Sequence, residues 1–343
     1  MRVLLEAHHP ADIHFWKYPV REMQARGNEV LMIGRDRDVM RRLLEVYDWI
    51  PAEIPKRRTR NNRFPLMEMM DRQWIVARAI RRFKPDVVAS LMGSYTQSAK
   101  ILGVKNVIFT DSEHQSFNHR IAHPFAHEIH TPECFYKDLG GKQRKYRGIH
   151  ELAFLSKDNL DFGSVLETRY PDLLKQQYAL IRLSAWNTFH DIDQKGVGEK
   201  LDCFVEELAG KFRVLISAEE SCLPEALKPF AGQFEPEDFH AILSGASFVL
   251  TEGASTASES ACLGIPTVYI NSIAQLGYLK MLEDKYSLVR GFSEAESGLA
   301  AAIDMVDSLN RDSYETWKKN RQRLLDDSID VVSYVVNVLE GSN

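Results

Sequence analysis

The stretch FVLTEGASTASESACLGIPTVYIN, residues Phe248–Asn271, carries the clearest structural pattern in the chain. An apolar run ends before Gly253, a segment of small residues follows, and a second apolar run begins at Thr267 after Gly264 and Pro266. This order predicts a strand, a tight loop, a helix and a second strand, which together form a parallel βαβ unit. Its first loop delivers a helix N-terminus to the carboxyl edge of a sheet, where α/β proteins bind anionic ligands.

The start of this predicted helix offers groups that suit a diphosphate. Gly253 leaves the backbone amides unobstructed, and Ser255, Thr256 and Ser258 add hydroxyl groups. Unpaired amides and the helix dipole attract an anion. Glu259, one turn further on, is placed to accept both hydroxyl groups of a ribose. The same sequence also fits a capping box, in which Glu259 only caps its own helix, so both interpretations stay open.

The composition is that of an ordinary globular protein. The 343 residues suffice for two domains, and 44% apolar and 27% charged residues indicate neither disorder nor a fibre. The formal net charge of -5 gives no general argument for nucleic acid binding. Four scattered cysteines without CxxC or zinc-type spacing predict free thiols in a reducing cytoplasm. We expect neither a signal peptide nor a membrane-spanning helix.

The α/β alternation begins twice along the chain. Residues 2–33 read as a strand, a polar loop, a helix and a strand, which open a doubly wound parallel sheet without the GxGxxG of nicotinamide-binding domains. The alternation restarts at Ala179–Leu183. The predicted division is an N-terminal domain over 1–150, a connection over 151–180, a second domain over 181–310 and a C-terminal helical segment over 311–343.

The segment FEPEDFHAILSGASFVLTEGASTASESACLGIPTVYI, residues 234–270, resembles the donor-binding segment of GT-B enzymes. It is similar to the peptidoglycan N-acetylglucosaminyltransferase and to non-hydrolysing UDP-N-acetylglucosamine 2-epimerases. The opening HHPADIHFWKYPVREMQARGNEV shares the resemblance at the level of the fold. The resemblance implies an α/β, GT-B-like fold, with two doubly wound, Rossmann-like parallel-sheet domains facing a cleft and the last helix crossing back to the first. It implies that 1–150 is the acceptor-side domain and that 181–310 is the nucleotide-sugar-binding domain. It also implies that Ser255 and Thr256 hold the diphosphate, and Glu259 the ribose, of a nucleotide sugar such as a UDP-sugar.

The resemblance leaves three functions open. The first is a metal-independent glycosyltransferase without a cofactor, which moves a sugar from a nucleotide-diphosphate donor to an acceptor in polysaccharide or cell-envelope biosynthesis. The second is a nucleotide-sugar 2-epimerase of the same fold, in which paired carboxylates move a proton and eliminate the nucleotide. The third is a non-catalytic GT-B-like binding or scaffold protein, because a fold does not determine a reaction.

Candidate acid–base groups follow the strand predicted over 106–110. Asp111, Glu113 and His114 lie at its carboxyl end, where a carboxylate or an imidazole can act as a general base. The loop loosely resembles an epimerase segment that carries a catalytic glutamate before an Asn-Arg pair, although NHR stands here in place of that pair. The alternative is a helix N-cap and a solvated turn.

The loop HHPADIH, residues 8–14, faces the same cleft if the first strand is central. His14 and Asp12 are candidate catalytic bases, because GT-B transferases often place the acceptor-activating base in this loop. His8 and His9 are candidate substrate-binding residues. The spacing of these side chains within one loop does not predict a metal site.

The start of the second domain offers a further binding group. Arg182 is a candidate for neutralising a phosphate, and Trp186 for covering a base or a sugar, with His190 in the same loop. The alternatives are a buried ion pair for Arg182 and core packing for Trp186.

A basic region lies within this acidic chain. Ten Lys or Arg residues and two acidic residues fall between Lys56 and Lys84. A solvated helix face is the simplest interpretation. The alternative is that the loop from Lys56 to Arg63 contacts an anionic or lipid-linked acceptor, or acidic lipid head groups. We expect a cytoplasmic protein, with peripheral contact at the inner face of the membrane as an alternative.

Overall fold

The chain forms two compact units. A computed structural model describes residues 1–34, 39–49, 65–156, 160–183, 197–218, 223–271 and 276–342, with the backbone alone for 65–69 and 197–200. Unit 1 comprises Met1–Phe154 and Ser328–Asn343, and unit 2 comprises Leu155–Asp327.

Each unit is built on one parallel sheet. The strands of unit 1 are β1 (Arg2–Glu6), β2 (Glu29–Ile33), β3 (Val87–Ser90), β4 (Lys105–Phe109), β5 (Glu128–Pro132) and β6 (Gln143–Tyr146). The strands of unit 2 are β7 (Tyr178–Arg182), β8 (Arg213–Ser217), β9 (Phe248–Thr251), β10 (Thr267–Ile270) and β11 (Arg290–Phe292). All pairings between these strands are parallel.

Helices connect the strands. They are α1 (Pro10–Ala25), α2 (Met40–Val46), α3 (Pro65–Phe83), α4 (Thr96–Ile101), α5 (Ser116–Ile121), α6 (Leu152–Leu155), α7 (Phe162–Arg169), α8 (Val197–Ala209), α9 (Phe239–Ser244), α10 (Ala254–Leu263), α11 (Gly277–Asp284), α12 (Ala295–Ser308), α13 (Arg311–Asp327) and α14 (Val331–Glu340). Short 3-10 helices are formed by His123–Phe125, Pro171–Lys175, Glu225–Phe230 and Pro236–Asp238.

The sheets are buried because helices cover them. Every residue of β3, β9 and β10 is buried, as near-continuous apolar strands of a parallel sheet require. The βαβ unit predicted over residues 248–271 is present as β9, α10 and β10. The predicted fold class, two doubly wound parallel-sheet domains, is confirmed.

Each sheet has one point at which its strand order reverses. The order in unit 1 is β2-β1-β3-β4-β5-β6, so the chain leaves β1 toward one side and later adds β3 on the other. The order in unit 2 is β11-β10-β9-β7-β8, so the reversal lies between β7 and β9. Loops at the carboxyl ends of such strands diverge and leave a crevice, in which doubly wound proteins bind ligands.

Two of the expected segments, 151–180 and 311–343, do not coincide with the compact units. Within 151–180, the short elements α7 and Pro171–Lys175 contribute Leu166 and Leu173 to a core of unit 2. Such short helices show little periodicity, which explains why the sequence reads as a connection. The segment 311–343 is also divided, because Asp330 accepts a hydrogen bond from the backbone amide of Ser333 (3.0 Å) and starts a new helix, α14, that belongs to unit 1.

Among the helices of the described residues, we find none that combines the length and the apolar character needed to cross a bilayer.

Candidate functional site

The N-terminus of α10 lies at the strand-order reversal of unit 2. Gly253 is the N-cap residue, and as a glycine it offers no capping side chain. The amide of Gly253 donates to Thr251 Oγ1 (2.9 Å), and the amide of Glu252 donates to the carbonyl oxygen of Arg182 (3.1 Å), which ties the ends of β7 and β9 together. The first turn of α10 thus meets a ligand crevice with amides that its N-cap residue does not cap.

The three hydroxyl residues of this turn differ in their surroundings. Ser258 Oγ donates to the carbonyl oxygens of Ala254 (3.2 Å) and Ser255 (3.0 Å), so its hydroxyl group turns back onto its own helix. Thr256 is buried, whereas Ser255 is half-buried. Of the three, Ser255 is the most accessible for a ligand.

Glu259 does not act as a capping residue. The helix begins at Ala254, two positions before the Thr256 that a capping box would place at the N-cap, so the capping interpretation is wrong. Instead, the buried Glu259 carboxylate lies 3.2 Å from Nε2 of the buried His240 on α9. The contact joins α10 to α9 and fixes the orientation of the carboxylate.

Arg182 stands at the carboxyl end of β7. Its Nη1 donates to Ser217 Oγ (2.7 Å), and its guanidinium carbon lies 5.6 Å from the centre of the Phe239 ring. The half-buried cation is therefore held in place at the same edge of the sheet as α10. Trp186 and His190 lie outside the described residues.

A polar cluster occupies the strand-order reversal of unit 1. Glu6 ends β1, and its Oε1 lies 2.9 Å from His8 Nε2 and accepts a hydrogen bond from Ser94 Oγ (2.8 Å). Arg72 of α3 donates to Ser94 Oγ (2.8 Å), lies 3.5 Å from Glu6 Oε1 and contacts the His8 ring. His8, a predicted substrate-binding residue, is thus buried within a charged network.

The charge of this network is set by Glu6. Burial alone would raise the pKa of its carboxyl group, but His8 and Arg72 outweigh burial and hold the pKa at about 2. Glu6 is therefore a carboxylate throughout the physiological range, and it partly neutralises the charge of Arg72.

The start of α1 uses two of the candidate residues, Asp12 and His9, for local hydrogen bonds. Asp12 Oδ2 accepts hydrogen bonds from the amides of His8 (2.7 Å) and His9 (3.2 Å). The exposed His9 caps the helix, because its Nδ1 accepts from the amide of Ala11 (3.3 Å). Burial raises the pKa of Asp12. His14 is buried, with Nδ1 3.4 Å from the hydroxyl group of Tyr47.

Asp111 forms an acid–base pair with a residue that the sequence analysis missed. Asp111 Oδ2 lies 3.1 Å from Nδ1 of the buried His150, which follows β6. Burial would lower the pKa of His150, but the attraction of Asp111 outweighs burial and raises this pKa. Burial would raise the pKa of Asp111, but the attraction of His150 outweighs burial and lowers this pKa. The His150 ring lies 4.8 Å from Phe15, and its Nε2 has no hydrogen-bond partner among the described residues.

The other two candidates of this loop have opposite environments. Glu113 is 0% exposed, and its Oε1 accepts a hydrogen bond from the amide of Tyr136 (3.3 Å). His114 is exposed.

Sequence reasoning did not identify Glu6, Ser94, His150 or His240. Each is joined to a partner that is distant along the chain or on another element, and no local motif marks these pairs. Within the described part of the chain, no group of three or more His, Cys, Asp or Glu residues is arranged to hold a metal ion. The basic loop from Lys56 to Arg63 lies outside the described residues.

The model of one protein family matches almost the entire chain. That family is described as "Protein of unknown function (DUF354)", and the match covers residues 2–340. The chain belongs to this family. No curated protein matches this DUF354 chain in sequence.

Solved structures resemble the DUF354 chain over its full length. UDP-GlcNAc 2-epimerase from Neisseria meningitidis, bound to UDP-GlcNAc, is 12% identical, with a TM-score of 0.69 and 100% of both chains covered. The S. aureus MnaA–UDP co-structure is 11% identical, with a TM-score of 0.71, and the match covers 99% of this chain and 96% of that one. MurG from Acinetobacter baumannii is 16% identical, with a TM-score of 0.61 and 99% of both chains covered. At these identities the similarity shows the fold, so the GT-B resemblance of the DUF354 chain is confirmed at that level.

Proposed function

We propose that unit 2 binds a nucleotide-diphosphate sugar at the N-terminus of α10 and that the protein transfers this sugar to an acceptor hydroxyl group. The observation that carries the proposal is the position of the first turn of α10, whose N-cap residue Gly253 has no side chain, at the strand-order reversal and beside Arg182. Backbone amides and the helix dipole take the diphosphate, and Arg182 adds a positive charge. Glu259 accepts the ribose hydroxyl groups.

The comparisons support a uridine nucleotide. The Neisseria meningitidis structure contains UDP-GlcNAc and the S. aureus structure contains UDP. The acceptor class is anionic or lipid-linked, and the proposed setting is glycan synthesis in the cytoplasm.

The base in this proposal is His150, oriented by Asp111. Neutral His150 takes the proton of the acceptor hydroxyl group on Nε2 while its Nδ1–H donates to Asp111, which stabilises the imidazolium that forms. The acceptor oxygen bonds to the anomeric carbon as the bond from that carbon to the diphosphate breaks. The amides of α10 stabilise the departing diphosphate charge, which develops most fully in the transition state.

Nucleotide binding tests the first part of the proposal. Thermal unfolding is measured with UDP, GDP, ADP and CDP, because a ligand that binds only the folded state raises the melting temperature. We expect UDP to raise it most. Glu259→Gln removes a charged acceptor for the ribose hydroxyl groups, so calorimetric titration should show UDP binding weakened about 10- to 100-fold.

Glu206→Gln is the matched control, because Glu206 is an exposed residue of α8 in the same unit. This variant should bind UDP as the wild type does. Unchanged UDP affinity in Glu259→Gln would remove the ribose role of Glu259. A melting curve that no nucleotide shifts would contradict the donor site itself.

A second candidate function is nucleotide-sugar 2-epimerisation. The observation that favours it is the burial of Glu113 beside Asp111 in one loop, since epimerisation by elimination needs carboxylates that exchange protons. Epimerisation requires no acceptor. Incubation with UDP-N-acetylglucosamine alone, followed by NMR of the sugar, therefore separates the two functions. Inverted configuration at C2 supports the epimerase. A sugar that stays unchanged alone and is consumed when an acceptor is added supports the transferase.

A further inference from the structure

A basic pocket lies in unit 1, outside the groups discussed above. It has a volume of about 590 Å³ and is formed by residues 116–124, which include α5, and by residues 137–142, which lead from β5 to β6. Its volume is sufficient for a phosphorylated small molecule or a lipid head group.

Three cationic side chains line this pocket: Arg120, Lys137 and Lys142. Lys137 Nζ donates to Ser116 Oγ (3.3 Å) and Lys142 Nζ donates to the carbonyl oxygen of Pro124 (2.7 Å). An ammonium group has three N–H donors, so each lysine keeps donors for a ligand. The carboxylate in the lining, Asp138, accepts a hydrogen bond from the amide of Gly140 (2.8 Å) within the turn. The lining therefore carries an excess of positive charge.

Two histidines complete the wall. The rings of His119 and His123 lie 4.7 Å apart, and His123 is only 5% exposed. Neither His123 Nδ1 nor His119 Nε2 has a hydrogen-bond partner among the described residues. Burial, together with His119, lowers the pKa of His123 to about 4, so His123 is neutral at pH 7. A buried nitrogen without a partner is costly, and a polar ligand atom in the pocket would offset that cost.

Large aromatic side chains are exposed on these segments or directly next to them in the chain. Phe117 is 68% exposed, Phe125 42% and Tyr136 60%. Phe117 belongs to α5, Phe125 follows Pro124 of the lining, and Tyr136 precedes Lys137. Exposed aromatic residues that adjoin a charged pocket are suited to a ligand with both an anionic and an apolar part.

We propose that this pocket binds the phosphate or diphosphate group of an organic phosphate. Arg120, Lys137 and Lys142 neutralise its charge, and the histidines offer neutral N–H groups. The same chemistry is found in a lipid head group and in a soluble phosphate. The exposed aromatic residues add an apolar contact that only the lipid can use fully.

Two probes distinguish these sources. Calorimetric titration with inorganic pyrophosphate measures the affinity for the anionic group alone. Co-flotation with phosphatidylcholine vesicles, with and without phosphatidic acid, measures binding to a lipid phosphate. We expect at least one probe to bind the wild type, and binding to weaken about tenfold for each cation removed in Arg120→Gln and in the double variant Arg120→Gln/Lys137→Gln.

Lys100→Gln is the matched control, because Lys100 is an exposed residue of α4 in the same unit. This variant should bind both probes as the wild type does. The proposal is overturned if neither probe binds, or if the double variant binds as tightly as the control. The thermal shift with UDP should be the same in the double variant and in the wild type, so a failure of the nucleotide site in unit 2 and a failure of this pocket are recognised separately.

Discussion

The buried Glu6 carboxylate should make the stability of unit 1 depend on pH. Its pKa is about 2 in the folded protein, against an ordinary value of 4.5. Because folding lowers this pKa, the stabilisation is present above the unfolded value and is lost as the pH falls from about 4.5 toward 2. A pKa difference of this size adds about 3 kcal/mol to the free energy of unfolding at neutral pH. Less than half of this stabilisation remains at about pH 3.

Glu6→Gln isolates this contribution. Glutamine has the shape of the protonated glutamic acid, so the variant should be about 3 kcal/mol less stable than the wild type at pH 6 and should approach it as the pH falls. The measurement is urea unfolding of both proteins at a series of pH values from 6 to about 3, followed by far-UV circular dichroism and tryptophan fluorescence, with the denaturant slope checked for constancy.

Glu45→Gln serves as the control, since Glu45 is exposed on α2. Its stability should follow that of the wild type at every pH. If the difference between the wild type and Glu6→Gln stays constant from pH 6 to pH 3, the attraction of Glu6 to His8 and Arg72 is not the cause of the low pKa, and the reasoning fails.

Two further outcomes follow from the geometry. Asp111→Asn removes the charge that raises the pKa of His150, so the acidic limb of the pH profile of the transfer rate should move to lower pH, with the rate reduced about 100-fold. An NMR titration of the His150 ring should show the same lowered pKa. An unchanged titration would contradict the pairing of Asp111 with His150. Gly93→Ala should destabilise unit 1 by about 2–4 kcal/mol in urea unfolding, because Gly93 has φ 74° and an added Cβ would lie 2.5 Å from Ile108 Cδ1. Gly103→Ala is the control, because Gly103 has φ 70° but open space around the Cβ position, so its variant has only the cost of the left-handed backbone. Equal losses of unfolding free energy in the two variants would refute the contact with Ile108 as a cause.

Local patterns predict the central βαβ unit, but they do not predict α7, whose short length leaves little periodicity. The segment 248–271 switches from a β-branched run to small residues and back, and β9, α10 and β10 follow these switches closely. The exact start of α10 was harder to predict, because Gly253 and Thr256 both suit an N-cap. The side chains alone do not decide between them, so the capping interpretation of Glu259 could only be rejected once the helix start was known.

The acid–base pairs could not be predicted because strand order creates them. His150 meets Asp111 only when β4, β5 and β6 lie side by side in sequence order, and His240 meets Glu259 only when α9 packs beside α10. Parallel pairing of distant segments leaves no periodic signal at these residues.

The return of α14 to unit 1 makes unit 2 an insertion between two parts of unit 1. Arg26 beyond the end of α1 binds Glu340 (2.8 Å), Tyr334 bonds to His130 of β5 (2.7 Å), and the valines of α14 are buried. During synthesis, unit 2 is complete before the last segment of unit 1 has left the ribosome, although domains generally fold in the order in which they emerge. The surface of α1 that α14 covers stays open until α14 has been synthesised. Maturation of unit 1 therefore depends on α14, and a premature stop after Asp327 would leave a finished unit 2 and a unit 1 with an exposed core.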